Sequence, residues 1–152
     1  MSEIYVTRGE LTDGMIRVGA ALLGKLDREV RVTSAFWLFD PELQEWRLHF
    51  ASPDVNDQAS GRFYDKIGRA INELGPDGAA IPFSAIAVVD VNSEVVRNLS
   101  RAFRTDMGIS DIRLQNCTFG GYVVEDALLY RVANLANPPP PPPRAMRVGR
   151  TR

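Results

Sequence analysis

Between Thr12 and Leu26 the apolar residues Met15, Val18, Leu22 and Leu26 recur at helical spacing, which predicts an amphipathic helix with Thr12 as its cap. Gly14, Gly19 and Gly24 interrupt it, each costing about 1 kcal/mol relative to alanine if interior. Small residues in such a helix mark close packing against another element. The period then changes to two. Residues 30–52 read as a β-hairpin, with VRVTSAFWLF and EWRLHFAS on either side of the turn signal Asp40-Pro41-Glu42. In the second strand Trp46, Leu48 and Phe50 share one face, and Arg47 and His49 the other. The first strand does not alternate: Phe36, Trp37, Leu38 and Phe39 are all apolar, as expected of a strand covered on both sides.

A polar loop, SPDVNDQASG, leads into the clearest helical pattern, from Ser60 to Leu74, where Phe63, Ile67, Ala70, Ile71 and Leu74 line one face. Gly75-Pro76-Asp77-Gly78 ends it, and IPFSAIAVVD reads as a buried third strand. A third helix is predicted over residues 92–107, capped by Asn92 or Ser93, with Val95, Val96, Leu99 and Phe103 inward and Gly108 at the C-cap. IRLQNCTF and YVVEDALLYRV, joined by Gly120-Gly121, form a closing hairpin. The order α-β-β-α-β-α-β-β predicts one α/β (α+β) sandwich built on a mixed five-stranded sheet with about three helices.

Three helices of this length cover about one sheet face. Trp37 and Phe39 have the opposite parity to Phe36 and Leu38, so one face is expected to need more cover than the chain supplies. An apolar patch of that size marks an interface, which makes Trp37 and Phe39 the expected partner-binding residues of the domain.

The pattern stops at residue 137. Pro138 to Pro143 are six consecutive prolines, expected to form a stiff polyproline II rod with a solvated backbone. Arg144, Arg147, Arg150 and Arg152 follow it with no acidic residue among them. The expected organisation is therefore a globular domain over 1–137 and a rod with a basic arm over 138–152, whose Pro138, Pro143 and four arginines join the partner-binding set. The formal net charge of −1 conceals this division, because the domain carries about −5 and the arm +4. The arm is thus suited to its own domain, to a neighbouring copy or to nucleic acid.

At 152 residues, with 45% hydrophobic and 24% charged residues, the chain suits one ordinary globular domain. Cys117 is the single cysteine, so no intramolecular disulfide forms. The N-terminal residues lack the pattern of a secretory signal, and no apolar run reaches membrane-spanning length. The expectation is a cytoplasmic protein of bacterial or viral origin, with no membrane partner.

Candidate chemistry is sparse. One cysteine and one histidine do not make a four-ligand zinc site. Any Ser-His or Cys-His pair would have to use His49, which reads as a solvated or hydrogen-bonded strand residue, and Cys117 reads as a small buried apolar residue. No phosphate-binding glycine motif occurs. Asp40, Glu45 and Arg47 loosely resemble the D…E-x-K pattern of restriction-type nucleases, with a short Asp–Glu spacing and an arginine in the lysine position. Glu125-Asp126 breaks an apolar segment, as a turn, a bulge, or a position facing solvent or an arginine such as Arg131. No catalytic residue and no cofactor is expected.

Basic residues are more regular. Arg62, Lys66 and Arg69 are spaced i, i+4, i+7, and Arg97, Arg101 and Arg104 repeat that spacing. Each triplet forms a line on its helix, and two lines plus the arm could contact phosphates. Local pairing with Asp65, Glu73 or Glu94 would instead make them ordinary solvated faces.

The hairpin AFWLFDPELQEWRLHFAS resembles the opening hairpin of GAF-type sensory domains, and that resemblance implies small-ligand sensing in a pocket between sheet and helices. PPPPPPR resembles the PxxPxR ligands of SH3-type domains. The leading expectation is a non-catalytic interaction module, an accessory subunit of a larger bacterial or phage assembly, docking or self-associating through an apolar sheet face and the C-terminal arm. Nucleic-acid binding through the arginine lines and small-ligand sensing are the alternatives.

Overall fold

The structure, a computed structural model, describes residues 10–54 and 60–133. The expected rod and arm, with Pro138, Pro143, Arg144, Arg147, Arg150 and Arg152, lie outside the described residues. The elements run α1 (Asp13–Leu26), β1 (Ser34–Asp40), β2 (Glu45–Ala51), α2 (Ser60–Glu73), β3 (Ile86–Val89), α3 (Glu94–Ala102), β4 (Ile112–Phe119) and β5 (Tyr122–Val132). Two 3-10 turns, Gly75–Ala80 and Phe83–Ala85, precede β3. The strands form one sheet in the order β3-β2-β1-β5-β4. β3 lies parallel to β2 and every other pairing is antiparallel. The mixed five-stranded α+β sandwich predicted from the sequence is the observed fold.

The helices divide between the two faces, where the sequence reading had placed their cover on one. α1 and α2 bury Ala35, Trp37, Leu48, Phe50, Leu128 and Tyr130 in a first core. α3 buries Phe36, Ala51, Leu114, Ala127, Leu129 and Val132 in a second. Connectivity explains the split. α2 links the parallel neighbours β2 and β3, whereas the chain after β3 must cross the whole sheet to reach β4 at the far edge. α3 makes that crossing on the opposite face. The continuous apolar run of β1 therefore serves both cores.

This corrects the expectation for Trp37. Its ring is fully buried under α1, and its indole N–H donates to Tyr130 Oη at 2.9 Å. The Tyr130 hydroxyl in turn donates to the carbonyl of Ile16 at 2.5 Å. Gly19 makes this approach possible, because a Cβ there would collide with Tyr130 Oη and touch Trp37 Nε1. Trp37 is thus an anchor of the first core and presents nothing to a partner.

Two further differences have local causes. α3 stops at Ala102 because Phe103 is extended and the next residues run beside the end of β5. Thr105 N–H donates to Val132 O, and Val132 N–H to Thr105 Oγ1, each at 2.9 Å. Gly108 is no C-cap; its N–H donates to Asp106 Oδ1 at 2.8 Å, closing an Asx turn. In the closing hairpin the ladder skips Asn116 and Glu125, and Asn116 sits at φ 51°. This paired irregularity leaves the register unchanged but turns Cys117, Phe119, Tyr122 and Val124 towards the same core as Leu114 and Ala127. Asp126 faces Arg113 in a two-pronged ion pair, at 2.7 and 2.9 Å.

Arg131, considered above as a partner for that acidic pair, is committed elsewhere. It is buried to 1% exposure, beside a register shift between Ala35 and Phe36. Its guanidinium grips Asp27 with both amino groups, at 2.8 and 2.9 Å. The same side chain donates to the carbonyls of Val32, Gly108 and Met107. All five of its N–H donors are used, tying the end of α1, the entry to β1 and the 103–111 connection to β5.

Candidate binding cleft

Strand pairing places the β1–β2 turn and the beginning of β5 at one end of the sheet, opposite the end held by Arg131. α3 has only nine residues, about 13 Å of helix, and packs on β5. It leaves the turn end of its face open. There Leu38, Phe39, Asp40, Pro41, Arg47, His49, Tyr122, Val123 and Glu125 line a cleft of about 250 Å³.

Each wall has a local reason. Leu38 lies opposite Arg47, and Phe36 opposite His49, so the polar side of β2 faces the α3 side of β1. The His49 ring stacks on Phe36, with centroids 5.0 Å apart and planes within 11°. Its Nδ1 lies 3.2 Å from the carbonyl of Arg47. Burial pulls the His49 pKa down to about 4, against partial opposition from that hydrogen bond, so the ring is neutral at physiological pH. Asp40 stabilises the turn, accepting from the amides of Glu42 and Leu43 at 2.9 and 3.3 Å. On the far wall Tyr122 packs on Phe119, and burial raises its hydroxyl pKa. Val123 is 66% exposed, and Leu43, in the neighbouring turn, 53%. Phe39 is half-buried and tilts against Trp46.

The expected residues are thus partly brought together. Phe39 borders the cleft, but its ring packs on Trp46 in the first core, on the same side of β1 as the buried Trp37. Asp40 and Arg47 of the nuclease-like pattern meet there, with His49 between Arg47 and the stacked Phe36, whereas Glu45 is exposed across from Asp40. Tyr122, Val123 and Glu125 escaped the sequence reading. Their only signal was the break that Glu125-Asp126 makes in an apolar strand. Among the described residues no group of three or more His, Cys, Asp or Glu side chains could hold a metal ion.

The two basic lines do not form one surface, because α2 and α3 lie on opposite faces of the sheet. Lys66 and Arg69 both meet Glu29, at 3.2 and 3.8 Å, and Arg62 is exposed near the start of α2. Arg97 and Arg101 are exposed on α3, and Arg104 falls beyond its last residue.

No helix among the described residues is long and apolar enough to cross a membrane. Comparison of the chain with protein-family models, with curated proteins and with solved structures gave no match.

Proposed function

We propose that this protein is a non-catalytic interaction module, an accessory subunit of a larger assembly, which takes a segment of a partner polypeptide in the cleft at the turn end of its sheet. The observation that supports this reading is the cleft itself. Both faces of the sheet are covered elsewhere by helices, and this end combines apolar walls (Leu38, Pro41, Tyr122, Val123) with polar ones (Asp40, Arg47, Glu125). Such a mixture suits an extended chain, whose backbone needs polar partners and whose side chains need apolar ones. The volume argues in the same direction. At about 250 Å³ the cleft is smaller than the 300–1,000 Å³ usual for a site that engulfs a small molecule, so the small-ligand alternative ranks second.

The reading is tested with a photo-crosslinking amino acid in place of the exposed Val123, in the full-length chain and in its native cells, with Gln115 substituted as a control. Covalent adducts with a polypeptide at position 123 and none at 115 are expected. If irradiation yields no polypeptide adduct at position 123, the reading fails.

A further inference from the structure

Four polar side chains line the cleft with atoms that no other described residue uses. The Glu125 carboxylate and the Arg47 guanidinium have no hydrogen-bond or ion-pair partner among the described residues, and of Asp40 only Oδ1 is engaged, by the turn amides. The fourth is His49. Its ring is neutral near pH 7, so one nitrogen carries a proton and the other a lone pair. The carbonyl of Arg47, 3.2 Å from Nδ1, only accepts, which assigns the proton to Nδ1. Nε2 is then a bare acceptor on the cleft wall, with no partner among the described residues. Stacking on Phe36 holds the ring in that orientation. The charges of Arg47 and Asp40 both act on the ring, in opposite directions, so the three groups lie at close quarters. Three of the four accept hydrogen bonds and one donates. Two carboxylates against one guanidinium leave the lining negative, and the exposed Glu42 and Glu45 in the adjoining turn deepen that field. The complement is a cationic donor with an acceptor beside it. An ammonium group has three N–H donors and no lone pair to satisfy.

We propose that the cleft receives the free N-terminal amine of a partner polypeptide, an inference that rests on the interaction-module reading above. Arg47 decides between a chain terminus and a lysine side chain. A lysine brings its cation alone, at the end of an apolar stem, and leaves the guanidinium facing a second positive charge. The first residue of a chain carries its amine, its carbonyl and its side chain on one α-carbon. The ammonium donates to His49 Nε2, Asp40 and Glu125, the carbonyl accepts from Arg47, and an apolar side chain meets Leu38, Pro41 and Val123. Each polar group left over by the fold is then matched, as enclosure of polar groups requires. The rest of the partner chain runs out through the mouth of the cleft. Only its first residue is enclosed, so a space of about 250 Å³ suffices.

The experiment titrates the full-length chain with the peptide amide Leu-Gly-Ser-Gly, against the same peptide acetylated at its N-terminus and an acetylated peptide that carries one lysine. The free amine should bind roughly tenfold or more tightly than its acetylated form, because acetylation removes charge-assisted hydrogen bonds, and more tightly than the lysine peptide, which leaves Arg47 unmatched. His49→Phe keeps a ring on Phe36 but removes Nε2, and Glu125→Gln alters an exposed residue. Both should erase most of the preference for the free amine without changing the affinity of the acetylated peptide. Arg47→Gln should weaken both forms alike, through the lost carbonyl contact. Unchanged thermal unfolding of Glu125→Gln identifies folded protein. Equal binding of free and acetylated peptides, no binding of either at millimolar concentration, equal binding of the lysine peptide, or a preference that survives Glu125→Gln overturns the proposal. Mapping of the crosslink at position 123 separates it from the broader reading. An adduct on the N-terminal residues of a partner supports both, an adduct confined to internal residues overturns only the terminal-amine inference, and no adduct overturns both.

Discussion

Two arginines, Arg131 and Arg47, sit near opposite ends of the same sheet, and they differ in almost everything but charge. Arg131 is buried, and its five donors are matched by one carboxylate and three carbonyls. Arg47 lines an open cleft beside Asp40 and Glu125 and forms no ion pair with any described residue. Each N–H bond of Arg131 is internal, so that end is finished by the fold. The cleft end has its carboxylates and cation arranged around space instead. The lesson concerns where charge is committed: a buried arginine with full satisfaction is architecture, while a half-buried one that lines open space without an ion-pair partner is available for recognition.

Stability measurements can break this contrast, and the largest effect is expected at the closed end. Arg131→Met should lower the free energy of unfolding by about 3 kcal/mol in urea titration, since it strands Asp27 and three carbonyls. A loss below about 1 kcal/mol would show that the clamp is replaceable by simple packing. The next effect belongs to His49. Its pKa is pulled down to about 4 in the fold from an ordinary 6.5, so its contribution is complete above pH 6.5 and fades as pH falls towards 4. Between pH 7.5 and 4.5 the wild type should lose about 2.5 kcal/mol more than a His49→Phe variant. Parallel curves for the two would mean that the ring is more hydrated than its stacking on Phe36 implies.

Gly19→Ala comes third, at about 2 kcal/mol, because the added methyl displaces Tyr130 Oη and loosens the Trp37–Tyr130–Ile16 chain. A thermal melt matching the wild type would indicate that α1 shifts freely. Smallest are Arg47→Gln and Glu125→Gln, which should each change stability by less than about 0.5 kcal/mol while lowering the yield of the polypeptide adduct formed at position 123. If either cost as much as Arg131→Met, the cleft would have to be counted as architecture too.

Much of the fold was legible because its signals are local. The change from helical to alternating period, the Asp40-Pro41-Glu42 turn and the Gly120-Gly121 turn are each contained in a few consecutive residues. The layering was not, because which face a helix covers depends on strand order. The parity of Phe36 and Trp37 was read correctly as two-sided, but nothing in the chain announces that β3 and β4 occupy opposite edges and so send α3 across the far face. Parity alone therefore makes Trp37 an interface residue, where the fold makes it a core anchor. The Asp27–Arg131 pair leaves no periodic trace, since 104 positions separate its partners. Half of the cleft was visible as the polar side of β2, in Arg47 and His49. The other half arrives from the distant hairpin, whose irregularity at Glu125 shows in the sequence only as an interruption.

The interrupted ladder at Asn116 and Glu125 has one more consequence. β4 and β3 are the sheet's two margins, where unpaired amides could template strands from other molecules. A kink in mid-strand prevents β4 from offering a straight row of donors and acceptors, and at the other margin the amide of Val88 is taken by the Tyr64 hydroxyl at 2.9 Å. Both margins are thus blunted against uncontrolled growth into fibrils.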